Sequence, residues 1–192
     1  MDSTQMTRPE EDRDECLASR KDLLADLVSQ VQDGDLVAFE EIVDQTESLV
    51  RKLAFPIVGP DYVEDVLQET YLSVFRHRDQ LKNPRAFLGW LSRMALHACY
   101  DLRKRTQPTE SLPATISGPD TTTSVAAHVT LVKALNQLTR ADRDLLILRE
   151  LIGMDYEELG YTLQIPVGTV KSRLFKAREH LRERLSPETA AR

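Results

Sequence analysis

The sequence predicts an all-α chain: two small helical domains joined by a flexible linker, the second a four-helix unit carrying a helix-turn-helix. Three observations predict it. Apolar side chains recur at spacings of three and four through residues 22–105 and again from Val129 onward, the period of helices with one buried face. Between these stretches, residues 106–127 read TQPTESLPATISGPDTTTSVAA, a Pro/Thr/Ser-rich composition that suits a linker. No run alternates with the period of two that a half-buried strand requires.

The elements follow in chain order. Residues 1–21 are polar and acidic, which predicts a disordered N-terminal segment. The first domain is expected over residues 22–105. Leu24, Leu27, Val28 and Val31 mark its first helix, ending near Gly34. Phe39, Ile42, Val43, Thr46, Leu49, Val50 and Leu53 mark a second, which Pro56, Gly59 and Pro60 are expected to break. Asp61 and Glu64 form a capping-box pattern ahead of a third helix with Val63, Val66, Leu67, Val74 and Phe75. Asn83-Pro84 is a further start signal, opening a fourth helix through Phe87, Leu91, Ala95, Ala98 and Leu102. Beyond the linker, the second domain is expected over residues 128–186. Leu131, Leu135 and Leu138 make one helix there, and Thr139 with Asp142 patterns a cap for the next, which Gly153 ends.

The richest stretch is DYEELGYTLQIPVGTVKSRLFKAR, beginning at Asp155. Asp155 and Glu158 form a capping box, and Leu159 and Leu163 give a short helix its apolar face. A turn through Gln164 and Ile165 leads to Pro166, which suits the start of a second helix. That helix carries Val170, Leu174, Ala177, Leu181 and Leu185 as one stripe, flanked by Lys171, Arg173, Lys176 and Arg178. An apolar back with a short, polar and basic front is what a helix-turn-helix places in a major groove. An amphipathic helix with solvated charges has the same periodicity and is the competing reading.

Composition excludes several classes. Of the 192 residues 41% are hydrophobic and 29% charged, as in a folded water-soluble protein. No apolar run approaches the roughly 20 residues that span a bilayer. The start lacks the basic head and apolar core of a signal peptide, so a cytoplasmic location is expected. Cys16 and Cys99 make neither a CxxC pair nor a disulfide framework. No nucleophile–base set, phosphate-cradling glycine loop or metal cluster is legible, so no catalytic residue, metal or cofactor is expected. The net charge of −6 hides an asymmetry: the first fifty residues carry 14 acidic and four basic side chains, and the remainder is net positive. Basic clusters lie at Arg103, Lys104 and Arg105 and along residues 171–184. Small basic patches on an acidic molecule predict weak binding to free DNA and help from a larger partner.

Four blocks then carry a family resemblance. They are Gly34-Asp35 with Ala38-Phe39; DVLQET from Asp65 with Val74-Phe75; Phe87, Trp90-Leu91 and Arg93-Met-Ala95 leading to Asp101 and Arg103; and LRE from Leu148 with YEE from Tyr156 and PVGTVKSRL from Pro166. In this order the chain resembles the extracytoplasmic-function (ECF) group of bacterial sigma factors, regions 2 and 4. The resemblance implies a promoter-specificity subunit of RNA polymerase. It implies that Asp65, Gln68 and Glu69 dock on the clamp helices of the largest polymerase subunit. It implies that His97, Tyr100, Asp101, Arg103, Lys104 and Arg105 meet the −10 element, with His97 standing where the family commonly has Asn. It implies that Arg149, Lys171, Ser172, Arg173, Phe175, Lys176 and Arg178 meet the −35 element. Phe87 and Trp90 fall on the apolar stripe and are expected in the core. Gln164 stands where many such turns have Gly. The implied partners are core RNA polymerase (clamp helices and flap), promoter DNA and an anti-sigma protein, membrane-anchored in some members. A stand-alone helix-turn-helix regulator and an anti-sigma-binding decoy remain as alternatives at this point.

Overall fold

The computed structural model describes the backbone of residues 8–106 and 122–185, with side chains over 19–106 and 129–185. Among the described residues it contains eight α-helices and no strand. α1 (Arg8–Gln32) starts well inside the segment expected to be disordered. Residues 8–21 are rich in Glu, Arg, Leu, Ala and Lys and contain no Gly, so helix propensity is favourable on balance. Pro9 falls in the first turn, where its missing N–H costs nothing. The buried Leu24, Leu27, Val28 and Val31 anchor the helix from its other end, and propagation from an anchored nucleus is cheap. Residues 1–7 lie outside the described residues.

α2 (Leu36–Val58) is capped by Asp35, whose carboxylate accepts from the amides of Val37 and Ala38. It runs through Pro56 instead of breaking there, and Gly59, at φ +80°, ends it. The proline sits in the last turn, so only a terminal stretch of the ladder is disturbed. A 3₁₀ turn (Pro60–Tyr62) precedes α3 (Val63–His77). The capping box expected of Asp61 and Glu64 does not form there: Tyr62 holds the cap position without a side-chain bond. Glu64 instead pairs with Arg51 of α2, accepting at 2.5 and 3.1 Å. Asn83 does cap, accepting from the Arg85 amide at the head of a 3₁₀ turn that feeds α4 (Phe87–Thr106).

α5 (Thr122–Asn136) takes residues 122–127 out of the expected linker, and residues 107–121 lie outside the described residues. Leu138 falls beyond the helix it was expected to close, yet is buried. Thr139 caps α6 (Arg140–Leu146), which continues as a π-helical turn (Ile147–Leu151) up to Gly153 at φ +84°. α7 (Tyr156–Leu163) and α8 (Val167–Leu185) complete the second unit.

α4 is the spine of the first unit, where Phe87, Leu91, Ala95 and Cys99 are buried with Leu24, Ile42 and Leu53. In the second unit Val170, Leu174 and Ala177 of α8 close over Leu145, Leu148 and Leu159. The expected α8 stripe is buried as far as Ala177; Leu181 is half-buried and Leu185 exposed, because the helix outruns the unit it packs on. The two units touch: α4 meets α7, and α2 meets α5.

Candidate nucleic-acid interface

The second unit builds its helix-turn-helix from local rules. The Asp155 carboxylate accepts from the Glu158 amide at 2.7 Å, and the Glu158 carboxylate accepts from the Asp155 amide at 2.9 Å, so the capping box is reciprocal. Gln164 turns the chain at φ 56°, ψ 44°, in the left-handed region. Gly160 lets the turn close: a Cβ there would stand 3.0 Å from the Ile165 carbonyl oxygen. The Pro166 carbonyl then accepts from the amides of Thr169 and Val170, starting α8.

This geometry buries Val170, Leu174 and Ala177 and leaves Lys171, Ser172, Arg173, Phe175, Lys176 and Arg178 all exposed on the front of α8. Phe175 is 64% exposed, an unusual position for a phenyl ring. Arg178 reaches back to Glu150, donating from Nε and Nη2 at 3.0 and 2.7 Å. Arg149 donates to the Met154 carbonyl at 2.5 Å. Tyr156 joins this group without having been expected there. Its ring lies 5.1 Å from the Arg149 guanidinium and 5.5 Å from the Lys171 ammonium, within cation–π range of both. One aromatic ring thereby sets the spacing of two cations, Arg149 half-buried and Lys171 exposed. Its partners come from two other elements, so no pattern within a single element marks it in the sequence.

On the first unit, Asp65 and Gln68 are exposed and Glu69 half-buried, on one side of α3. Glu69 lines an open cavity of about 490 Å³ between α3 and α4, together with Ser73, His77, Trp90, His97 and Asp101. The structure thus brings part of the expected docking set and part of the expected −10 set to one cavity. Phe87 is buried as expected; Trp90 is half-buried and lines that cavity. Along α4, His97, Asp101, Lys104 and Arg105 are exposed. Tyr100 and Arg103 are not free: the Tyr100 hydroxyl donates to the Asp144 carboxylate, and Arg103 donates to Asn136 Oδ1 at 2.9 Å. Burial pushes both Tyr100 and Asp144 above their ordinary values. Among the described residues no group of three or more His, Cys, Asp or Glu side chains is placed to hold a metal ion, and no helix is long and apolar enough to cross a membrane.

Comparison with known proteins agrees with this architecture. Residues 42–109 match the family model for Sigma-70 region 2, and residues 128–181 match that for Sigma-70, region 4. The ECF RNA polymerase sigma-E factors of Escherichia coli (strain K12) and Salmonella typhimurium (strain LT2) are each 30% identical over 178 residues, covering 84% of this chain and 93% of the relative. Among solved structures, CnrH in complex with the cytosolic domain of CnrY shares the fold at a TM-score of 0.69 and 23% identity, covering 84% of this chain and 96% of that one. The sigma factor RpoE of Bartonella quintana, in complex with the anti-sigma factor NepR, superposes at a TM-score of 0.56 and 25% identity, covering 77% and 96%. With both sigma regions matched in order and relatives aligned over nearly their whole length, this chain belongs to the ECF family of RNA polymerase sigma factors, which act in transcription initiation.

Proposed function

We propose that this sigma factor uses the two exposed faces described above in a divided manner, α3 and α4 for polymerase and the −10 element, α8 for the −35 element. The observation that carries the reading is the front of α8: six polar, basic and aromatic side chains exposed over the buried Val170, Leu174 and Ala177. Lys171, Ser172, Phe175 and Lys176 take base-edge or groove-wall positions, with Phe175 offering a ring to a thymine methyl. Arg149, Arg173 and Arg178 take phosphates. On α3, Asp65, Gln68 and Glu69 present two carboxylates and an amide to a basic, polar partner helix, the clamp helices of polymerase, while the second domain rests on the flap. On α4, His97, Tyr100, Asp101, Arg103, Lys104 and Arg105 meet the −10 element. The structural neighbour solved with an anti-sigma factor, RpoE of Bartonella quintana, supports an anti-sigma partner for this chain, membrane-anchored or free. The protein acts without catalysis of its own, in the cytoplasm where polymerase and DNA are.

Run-off transcription on a promoter library with purified core polymerase tests the reading. Sequence-selective transcripts that depend on the added protein and vanish on Gln68→Ala with Glu69→Ala are expected. Absence of transcripts from a folded wild-type protein would overturn it.

A further inference from the structure

The connection between α3 and α4, residues 78–86, borders the cavity lined by Trp90 and His97, and α1 holds it in place. Gln32 is the last residue of α1. Its side-chain amide donates to the Arg78 carbonyl at 2.7 Å and to the Leu81 carbonyl at 2.9 Å. Both partners are carbonyl oxygens, so only the nitrogen end of the amide can face them, and both of its N–H donors are used. The Leu81 amide donates to the same Arg78 carbonyl and closes the 3₁₀ turn Arg78–Gln80. That bond is long at 3.3 Å, beyond the roughly 2.7–3.2 Å typical of its kind, so the turn holds weakly by itself. One side chain thus clamps both ends of the turn, from 46 and 49 positions away in sequence.

The clamp stands on a fixed base. Val31, beside Gln32, is buried. Gly34, at φ +100°, turns the chain out of α1, and the Asp35 amide donates back to the Gln30 carbonyl at 3.0 Å. From α3 the turn is anchored by Arg78, whose Nη1 donates to the Phe75 carbonyl at 2.7 Å and whose guanidinium lies 4.6 Å from the centre of the Phe75 ring. At the far end of the connection Asp22 of α1 pairs with Arg85 at 3.1 Å, but both side chains are exposed, and such a pair contributes little. The two bonds of Gln32 therefore do most of the polar holding from α1. The turn they hold carries cavity wall: His77 precedes it, Gln80 ends it, and both line the cavity together with Trp90, His97 and Asp101.

We propose that Gln32 is a positioning residue for −10 recognition: by fixing the Arg78–Gln80 turn from α1 it fixes the wall of the α3–α4 cavity, and with it the discrimination between bases at the −10 element. The inference rests on the assignment of α4 to that element. Gln32 does not itself line the cavity and acts through the turn. A wall that shifts by a fraction of an ångström admits the wrong base nearly as well as the right one, because discrimination depends on donors and acceptors held in register.

Gln32→Met tests this, since methionine matches glutamine in length and helix propensity but donates nothing. Holoenzyme is titrated with two single-stranded oligonucleotides, one carrying the −10 sequence selected in the run-off library, the other changed at the −10 base on which transcription most depends. The readout is the ratio of the two affinities. Losing two hydrogen bonds should lower that ratio by about tenfold in Gln32→Met. Affinities for core polymerase and for a −35 duplex should stay within about twofold of wild type, as expected for distant, independent sites. Gln32→Lys keeps N–H donors and should restore the ratio; both oligonucleotides carry the same phosphates, so the added charge cancels in it. A wild-type ratio for Gln32→Met, or a Gln32→Lys ratio as low as that of Gln32→Met, overturns the proposal. So does a parallel loss of core, −35 and −10 binding, which would make Gln32 a residue of general stability. Trp90, the chain's one tryptophan, gives a second measure without polymerase. Acrylamide should quench its emission more readily in Gln32→Met than in wild type, at unchanged helical circular dichroism, and equal quenching counts against a shifted wall. A wild-type holoenzyme that does not distinguish the two oligonucleotides would instead overturn the −10 assignment beneath the proposal.

Discussion

Gln164 pays for the turn of the helix-turn-helix in backbone strain. Its φ of 56° places a side-chain-bearing residue in the left-handed region, at a cost of about 1 kcal/mol that glycine would not incur. Gln164→Gly should therefore raise the melting temperature by about 2–4 °C, with no loss of −35 binding; thermal unfolding followed by circular dichroism checks it. Cys99 is fully buried, and burial, with the nearby Asp144 carboxylate adding to it, pushes its thiol up to about 12. In a Cys16→Ser background a maleimide should label nothing until denaturant is added; native labelling at Cys99 would show that the core opens on the labelling timescale. Asp144 makes a pH prediction. Burial raises its carboxyl, against the hydrogen bond from Tyr100 and the charges of Arg140 and Arg143, which lower it; Cys99 faces it from α4 as well. A carboxyl raised in the folded state binds its proton more tightly there than in the unfolded chain. Its contribution is full below the unfolded value near 3.8 and is lost as pH rises through the folded value. Asp144→Asn keeps an acceptor for Tyr100 but cannot ionise. Wild type should thus lose stability relative to Asp144→Asn as pH rises from about 3.8, read as denaturant midpoints along a pH series.

α8 was legible in the sequence because its two faces obey one period, and the burial of Val170, Leu174 and Ala177 beneath exposed Lys171, Phe175 and Lys176 follows that period. The role of Tyr156 was not legible, because Arg149, Tyr156 and Lys171 come from a π-turn, α7 and α8, and no one-dimensional pattern says where three elements meet. Pro56 misleads for a related reason: a proline marks where a helix is weakened, but in the last turn of α2 it leaves the helix to run on to Gly59. Glu64 looked like half of a capping box but found a stronger partner in Arg51, on another helix. The Tyr156 arrangement yields an element-level prediction. Each cation–π contact at an exposed site contributes about 0.5–1 kcal/mol, so Tyr156→Ala should cost the −35 duplex about tenfold in affinity through disordered Arg149 and Lys171. Tyr156→Phe keeps the ring face and should bind within about twofold of wild type. Fluorescence anisotropy with a −35 duplex separates the two, and equal losses for both variants would assign the effect to the hydroxyl instead.

Across the whole molecule, charge is segregated along the chain, and the structure changes what that segregation means. The composition of the acidic N-terminal run predicts a disordered tail, because low hydropathy and high charge are shared by disordered chains and by exposed helices. Its residues from Arg8 onward belong to α1, whose later part supplies Leu24 and Val28 to the core and Lys21 to Glu158. Deleting residues 1–21 would therefore remove half a helix and an inter-unit ion pair along with the charge. Neutralising Glu10, Glu11, Asp12, Asp14 and Glu15 to their amides isolates electrostatics, lifting the net charge of −6 by five while keeping residues that form helices tolerably well. If the acidic run repels DNA, the neutralised protein should bind non-specific duplex more tightly at low salt. The gain should fade toward 1 M salt, where the screening length shrinks to about 3 Å. Truncation, by contrast, should also alter binding at high salt, because it changes structure as well as charge. Equal affinities for the neutralised and wild-type proteins at low ionic strength would mean that the run faces away from the DNA path, and that the positive balance of the remaining chain alone sets free-DNA affinity.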